Sequence, residues 1–133
     1  MNPKLIKYGF ILAAVMNFSV LIFSRGFTNS AINQADPVVM SNFGLLMIVI
    51  WGLAYLAAST AANIKWIAGV FALEKLIYGV IWINWLMANS LGAVYEADLM
   101  AGLFYSIYGL NDLAFMFFFA WVFLVSGSRN LSR

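Results

Sequence analysis

The sequence predicts an all-α fold, an integral membrane four-helix bundle. Two observations carry this. The chain of 133 residues is 65% hydrophobic and 9% charged, where a soluble domain carries roughly a quarter charged residues. Its apolar residues also gather into runs long enough to cross ~30 Å of hydrocarbon as helices, which takes about 20 residues. Transmembrane strands would be about 9–11 residues with a polar inward face, and no such alternation is present. The length fits a single domain covering residues 1–133.

Four spans are predicted. The first runs from Leu5 to Phe23. Lys4 and Lys7 flank it in the manner of a signal peptide, but no small-x-small cleavage site follows, so it is read as an uncleaved helix. The second runs from Asn42 to Thr60, where Gly52, Ala54, Ala57, Ala58, Ala61 and Ala62 suggest close helix packing. The third runs from Trp66 to Met87 and the fourth from Leu103 to Val125. Connections 24–41 and 88–102 are the long ones, and the connection at Asn63 and Lys65 is tight.

Charge sets the expected orientation. Lys4, Lys7, Lys65, Arg129 and Arg133 fall on one side of a four-span chain, and Arg25 lies opposite with Asp36, Glu96 and Asp98. The positive-inside rule then puts both termini in the cytoplasm, and the expected location is a bacterial inner membrane. The bias argues against dual topology. No basic run provides an electrostatic footprint for nucleic acid.

Short matches hint at two parallel helical-hairpin repeats. Lys4-Leu5-Ile6-Lys7-Tyr8-Gly9 resembles Lys75-Leu76-Ile77-Tyr78-Gly79, and Gln34-Ala35-Asp36 resembles Glu96-Ala97-Asp98. Gly44-Leu45 and Gly109-Leu110 follow at comparable distances. The spacings differ between the two halves.

The chain has no cysteine and no histidine. It lacks thiolate and imidazole ligands, so no metal site and no cofactor is expected. No nucleophile–base pair or phosphate loop points to an enzyme, and no catalytic residue is assigned.

Glu74, Lys75 and Asp112 lie inside apolar segments, where a charge at the centre of a helix costs roughly 2.5–3.5 kcal/mol on the insertion scale. At ~1.5 Å per residue Glu74 lies about 12 Å from Trp66, and Asp112 about 13 Å from Leu103. Asn17 and Trp51 come out near the same level. Tyr105, Tyr108 and Asp112 share a face of the fourth segment, and Trp51 meets Tyr55 one turn along the second.

Two readings fit this layer. In one, Lys75 pairs with Asp112 across helices, or snorkels toward the cytoplasm, while Glu74 bonds a tyrosine or Asn17; the charges then only fix helix register. In the other, Asn17, Trp51, Tyr55, Glu74, Lys75, Tyr78, Asn111 and Asp112 line a pocket that binds or transports a small molecule or proton. Both carboxylates should face the interior.

The expected partners are the lipid bilayer and a small-molecule ligand, with a homo-oligomer or a larger membrane complex as further possibilities. A non-catalytic accessory or assembly subunit is the alternative function, and an intramembrane enzyme on a lipid-like substrate is the second. The layout resembles the small multidrug resistance family in its four helices and membrane carboxylate. That family keeps its key glutamate in the first helix, where this chain has Asn17. The DoxX-like proteins are similar in size and layout. Neither likeness rests on a shared motif, so no activity carries over.

Overall fold

A computed structural model describes residues 2–128, and within them every regular element is helical. The elements are α1 (Pro3–Phe18), α2 (Val20–Phe23), α3 (Ser30–Ala35), α4 (Asn42–Ala58), α5 (Lys65–Ala88), α6 (Leu91–Ala97) and α7 (Leu99–Ser128). Arg129 and Arg133, used above for orientation, lie outside the described residues.

Several helix starts carry a short polar side chain that accepts an otherwise orphaned backbone N–H. Asn2 caps α1 through Lys4 N at 3.0 Å, and Asn29 caps α3 through Ala31 N at 3.2 Å. Ser41 caps α4 through Gly44 N at 3.1 Å, and Ser90 caps α6 through Ala93 N at 3.2 Å. Asp98 accepts from Ala101 N at 2.9 Å. That cap starts α7 at Leu99, one turn before the expected Leu103.

Three helices are long and apolar enough to cross a membrane: Pro3–Phe23 (α1 with α2), Lys65–Ala88 and Leu99–Ser126. They mark a membrane protein. Helix α4 is apolar too, but at 17 residues it is the shorter one. Its end at Ala58, before the expected Thr60, has a local cause. Ser59 Oγ donates to Leu56 O at 2.6 Å and Thr60 Oγ1 to Ala57 O at 2.9 Å, so hydroxyls engage the last carbonyls.

The long connections hold α3 and α6, which are docked against α5 and α7. Tyr105 hydroxyl donates to Ile32 O at 2.7 Å, and Trp85 Nε1 donates to Ala35 O at 2.8 Å. Trp85 stacks on Tyr105 with ring centroids 4.4 Å apart. Arg25 Nη2 reaches Asp98 Oδ1 at 2.8 Å, and Asn29 Nδ2 reaches Asp98 Oδ2 at 2.8 Å, tying the first connection to the start of α7. Arg25, Gly26 and Phe27 turn the chain there with φ of 50°, 64° and 69°, three consecutive left-handed residues.

In pairing, α1 lies along α4, and α5 along α7. Glycines permit the close approaches. Trp82 lies directly against Gly109, and Leu113 Cδ2 comes within 2.5 Å of where a side chain on Gly79 would begin. Gly52 receives Phe18 and Asn17. Of the small residues on the second segment, Ala58 is buried, whereas Ala57, Ala61 and Ala62 are exposed.

The interior falls into two apolar clusters. One contains Val20, Ile32, Met40, Leu45, Trp82 and Phe104, toward α3 and α6. The other contains Ile6, Phe10, Tyr55, Phe71, Phe119 and Val122, toward the opposite end. Outward-facing residues such as Leu12, Phe43, Ile77 and Phe117 stay exposed, as a surface solvated by lipid tails requires.

Candidate functional site

Between the two clusters lie the buried polar side chains Asn17, Glu74, Lys75 and Asp112. Sequence spacing explains their burial. On α5 the buried residues Ala68, Phe71, Lys75, Trp82 and Trp85 recur at three- and four-residue steps or their sums. Lys75 therefore falls on the packed stripe of its helix, with Glu74 beside it. Asp112 stands one turn after the buried Tyr108 on the inward face of α7. Both carboxylates face the protein interior, as expected.

Lys75 is the hub, with 2% of its surface exposed. Its Nζ donates to Asp112 Oδ1 at 2.8 Å and to Asn17 Oδ1 at 3.0 Å. The Tyr55 ring centroid lies 5.1 Å from the same ammonium, within cation–π range. Asn17 Nδ2 donates to Ile48 O at 2.9 Å, which ties α1 to α4. Asn111 Nδ2 donates to Asp112 Oδ1 at 3.2 Å. Separately, Tyr55 hydroxyl donates to Glu74 Oε2 at 2.5 Å. Helices α1, α4, α5 and α7 all contribute to this layer. Lys75 does not snorkel; its charge is balanced in place by Asp112.

A cavity of about 40 Å³ opens beside this network. Asn17, Glu74, Lys75, Tyr78, Asn111 and Asp112 all line it. Tyr55 and Trp51 do not. Tyr55 approaches Glu74 and Lys75 from the side of the second apolar cluster, and Trp51 packs edge-on against Phe71, ring centroids 6.1 Å apart. Both belong to an aromatic floor, because their rings follow the apolar face of α4 into that cluster.

The cavity also has walls outside the expected pocket set, among them Met16, Ser19, Val20, Phe23, Phe104 and Tyr108. Tyr108 carried a signal, being one turn from Asp112 on the same face. Met16 and Ser19 carried none. Tyr108 is 8% exposed, and its hydroxyl has no hydrogen-bond partner among the described residues. A buried polar atom left without a partner is uncommon and costs about 1–3 kcal/mol.

Among the described residues no cluster of metal-ligating side chains occurs. Chemically, the layer combines a balanced ion pair, a second carboxyl held by a phenol, and an unengaged hydroxyl facing a small void. Comparison with family models, with curated proteins and with solved structures finds no match.

Proposed function

We propose that this membrane protein binds a small polar ligand or a proton in the cavity beside Lys75, Asp112 and Glu74, in the course of transport across or along the membrane. In this reading α4 serves as a fourth span, and the bundle sits in a bacterial inner membrane with both termini cytoplasmic. The side bearing Lys4, Lys7 and Lys65 is then the inner one. Arg25, on the other side, is offset by Asp98 at 2.8 Å, which leaves the positive bias inward.

The observation that carries the binding role is the Tyr108 hydroxyl, buried and unpartnered in a cavity wall. An ion pair kept only to fix helix register has no need of a void or of an idle donor next to it. The void exceeds the ~10–15 Å³ that one water requires, so it has room for a few small polar atoms. A ligand there would complete the hydrogen bonding of Tyr108 and Asn111.

The test is thermal stability of the purified protein across about pH 5 to 9, for wild type, Glu74→Gln and Asp112→Asn. The expected result is a pH-dependent transition in wild type that Glu74→Gln removes while the fold survives; Asp112→Asn removes it too but lowers stability at every pH, because it leaves Lys75 buried without its counter-charge. Unfolding of both variants at every pH would assign the charges to holding the bundle. An accessory subunit of a larger membrane complex would then be the better reading.

A further inference from the structure

We infer that the ligand of this cavity is a membrane-dissolved amphiphile with a compact, uncharged oxygen head, an alcohol or a carbonyl, that enters sideways from the lipid between α1–α2 and α7. This rests on the binding role proposed above and adds a ligand class and a route.

The route follows from which walls are sealed. Toward α3 and α6 the interior is closed by Ile32 and Met40, both fully buried. The Tyr105–Ile32 and Trp85–Ala35 hydrogen bonds hold that lid at 2.7 Å and 2.8 Å. Toward the opposite end it is closed by packed rings, with Phe10 and Phe119 centroids 5.2 Å apart and Tyr55 and Phe71 centroids 4.8 Å apart. Water has no straight path from either end.

One side remains. Met16, Ser19 and Phe23 follow one another at three- and four-residue steps along a single face of α1–α2, and all are partly exposed. Opposite them on α7 stand Ile107 and Asn111, one turn apart and also open to the outside. These five residues line the cavity, and its deeper residues, among them Lys75, Tyr108 and Asp112, are buried. The mouth lies within the apolar spans. At ~1.5 Å per residue, Ser19 is about 6 Å from the end at Phe23 and Ile107 about 12 Å from Leu99. An opening at that depth meets acyl chains.

The head is defined by what the floor lacks. Lys75 and Asp112 neutralise each other at 2.8 Å, and Glu74 is engaged by Tyr55 from the far side. An anionic head would find no free cation, because Lys75 is already balanced by Asp112, and any charged head would lose its hydration on entering. The Tyr108 hydroxyl can give or take one hydrogen bond, which suits an alcohol or carbonyl oxygen. About 40 Å³ admits such a group and excludes a phosphate-bearing lipid head. The apolar mouth of Met16, Phe23 and Ile107 suits the chain that follows it.

The test uses the full chain in lipid nanodiscs and a long-chain alcohol with a photoactivatable diazirine beside its hydroxyl. A short-chain, water-soluble version serves as the control. Adducts are mapped by mass spectrometry in wild type, Ile107→Trp and Tyr108→Phe. Met16→Trp blocks the other lip and stands in if Ile107→Trp does not fold. The inference expects long-chain adducts on segments 16–23 and 104–112 in wild type. It expects about fivefold less labelling in Tyr108→Phe, the loss of one hydrogen bond, and a greater loss in either mouth variant. Equal labelling of all variants would reduce the contact to annular lipid and overturn the inference. If the short alcohol labels the cavity equally in wild type and Ile107→Trp while the long one does not, the lateral amphiphile falls and the binding site stands. If neither alcohol labels the cavity, both fall.

Discussion

Lys75 Nζ lies 2.8 Å from Asp112 Oδ1, an ion pair joining α5 to α7 with both residues almost wholly buried. Asn17 brings α1 into the same bond set at 3.0 Å. Removing one member of a buried pair strands the other charge, which costs about 3–5 kcal/mol. Replacing both members by apolar groups is near neutral or stabilising. Lys75→Met alone should therefore destabilise the protein by about 3–5 kcal/mol, and Lys75→Met with Asp112→Leu should recover most of the loss. Unfolding of the purified variants in mixed micelles gives both numbers. A double variant as unstable as the single one would show that the pair is not an isolated unit.

The Tyr55–Glu74 hydrogen bond is separable from that pair. Tyr55→Phe deletes the donor and leaves Glu74 buried without it, with an expected loss of about 1.5–3 kcal/mol. Glu74→Gln keeps an acceptor oxygen for the phenol at 2.5 Å, so its expected loss is below about 1 kcal/mol. The same unfolding assay ranks the two. The reverse order would place the carboxyl's main support elsewhere than Tyr55.

Two glycines should fail for different reasons. A side chain on Gly109 would meet the Trp82 ring, and Trp82 cannot retreat freely because its Nε1 donates to Tyr105 O at 2.6 Å. Gly109→Ala should cost about 1–3 kcal/mol through overpacking. Gly26 has open space around it but a φ of +64°. Gly26→Ala should cost about 1–2 kcal/mol through backbone conformation alone. Pairing each with Trp82→Leu separates them: the smaller side chain should relieve the first loss and leave the second unchanged.

At the Arg25–Asp98 tie, the sign of the pH dependence is set by Asp98. The N–H of Ala101, the Asn29 amide and the Arg25 guanidinium hold its carboxyl down to about 2 from an ordinary 3.8. A depressed folded value means stabilisation that is complete above the ordinary value and is lost as the pH falls through the folded one. The melting-temperature difference between wild type and Asp98→Asn should be constant above about pH 4 and shrink toward pH 2. Asparagine retains an oxygen for the Ala101 N–H, so the difference reports the ion pair and charge. A difference that does not change with pH would remove Asp98 from the acid response.

Much of this architecture is legible in the chain itself. The helix starts are less so: Asn2, Asn29, Ser41, Ser90 and Asp98 cap them by accepting the first free N–H groups, and Asp98 starts α7 at Leu99, a turn before the expected Leu103. Apolar runs without two-residue alternation specify helices, and the intramembrane position of Glu74, Lys75 and Asp112 marks the layer. The inward face of α7 was readable from Tyr105, Tyr108 and Asp112 at three- and four-residue spacing.

Tertiary packing decided the partners. Spacing sets the direction of a side chain about its own helix, but it says nothing of how neighbouring helices rotate and slide against each other. Those settings come from steric fits such as Trp82 on Gly109 and Phe18 on Gly52. They place Asn17 beside Lys75, turn Tyr55 toward Glu74, carry Trp51 into the aromatic floor, and leave the Tyr108 hydroxyl without a partner in the cavity wall. The sequence by itself determined which polar groups must be buried, since the apolar helices around them leave no alternative. Only the three-dimensional packing decided which of those groups are satisfied by each other and which, like the Tyr108 hydroxyl, are left free.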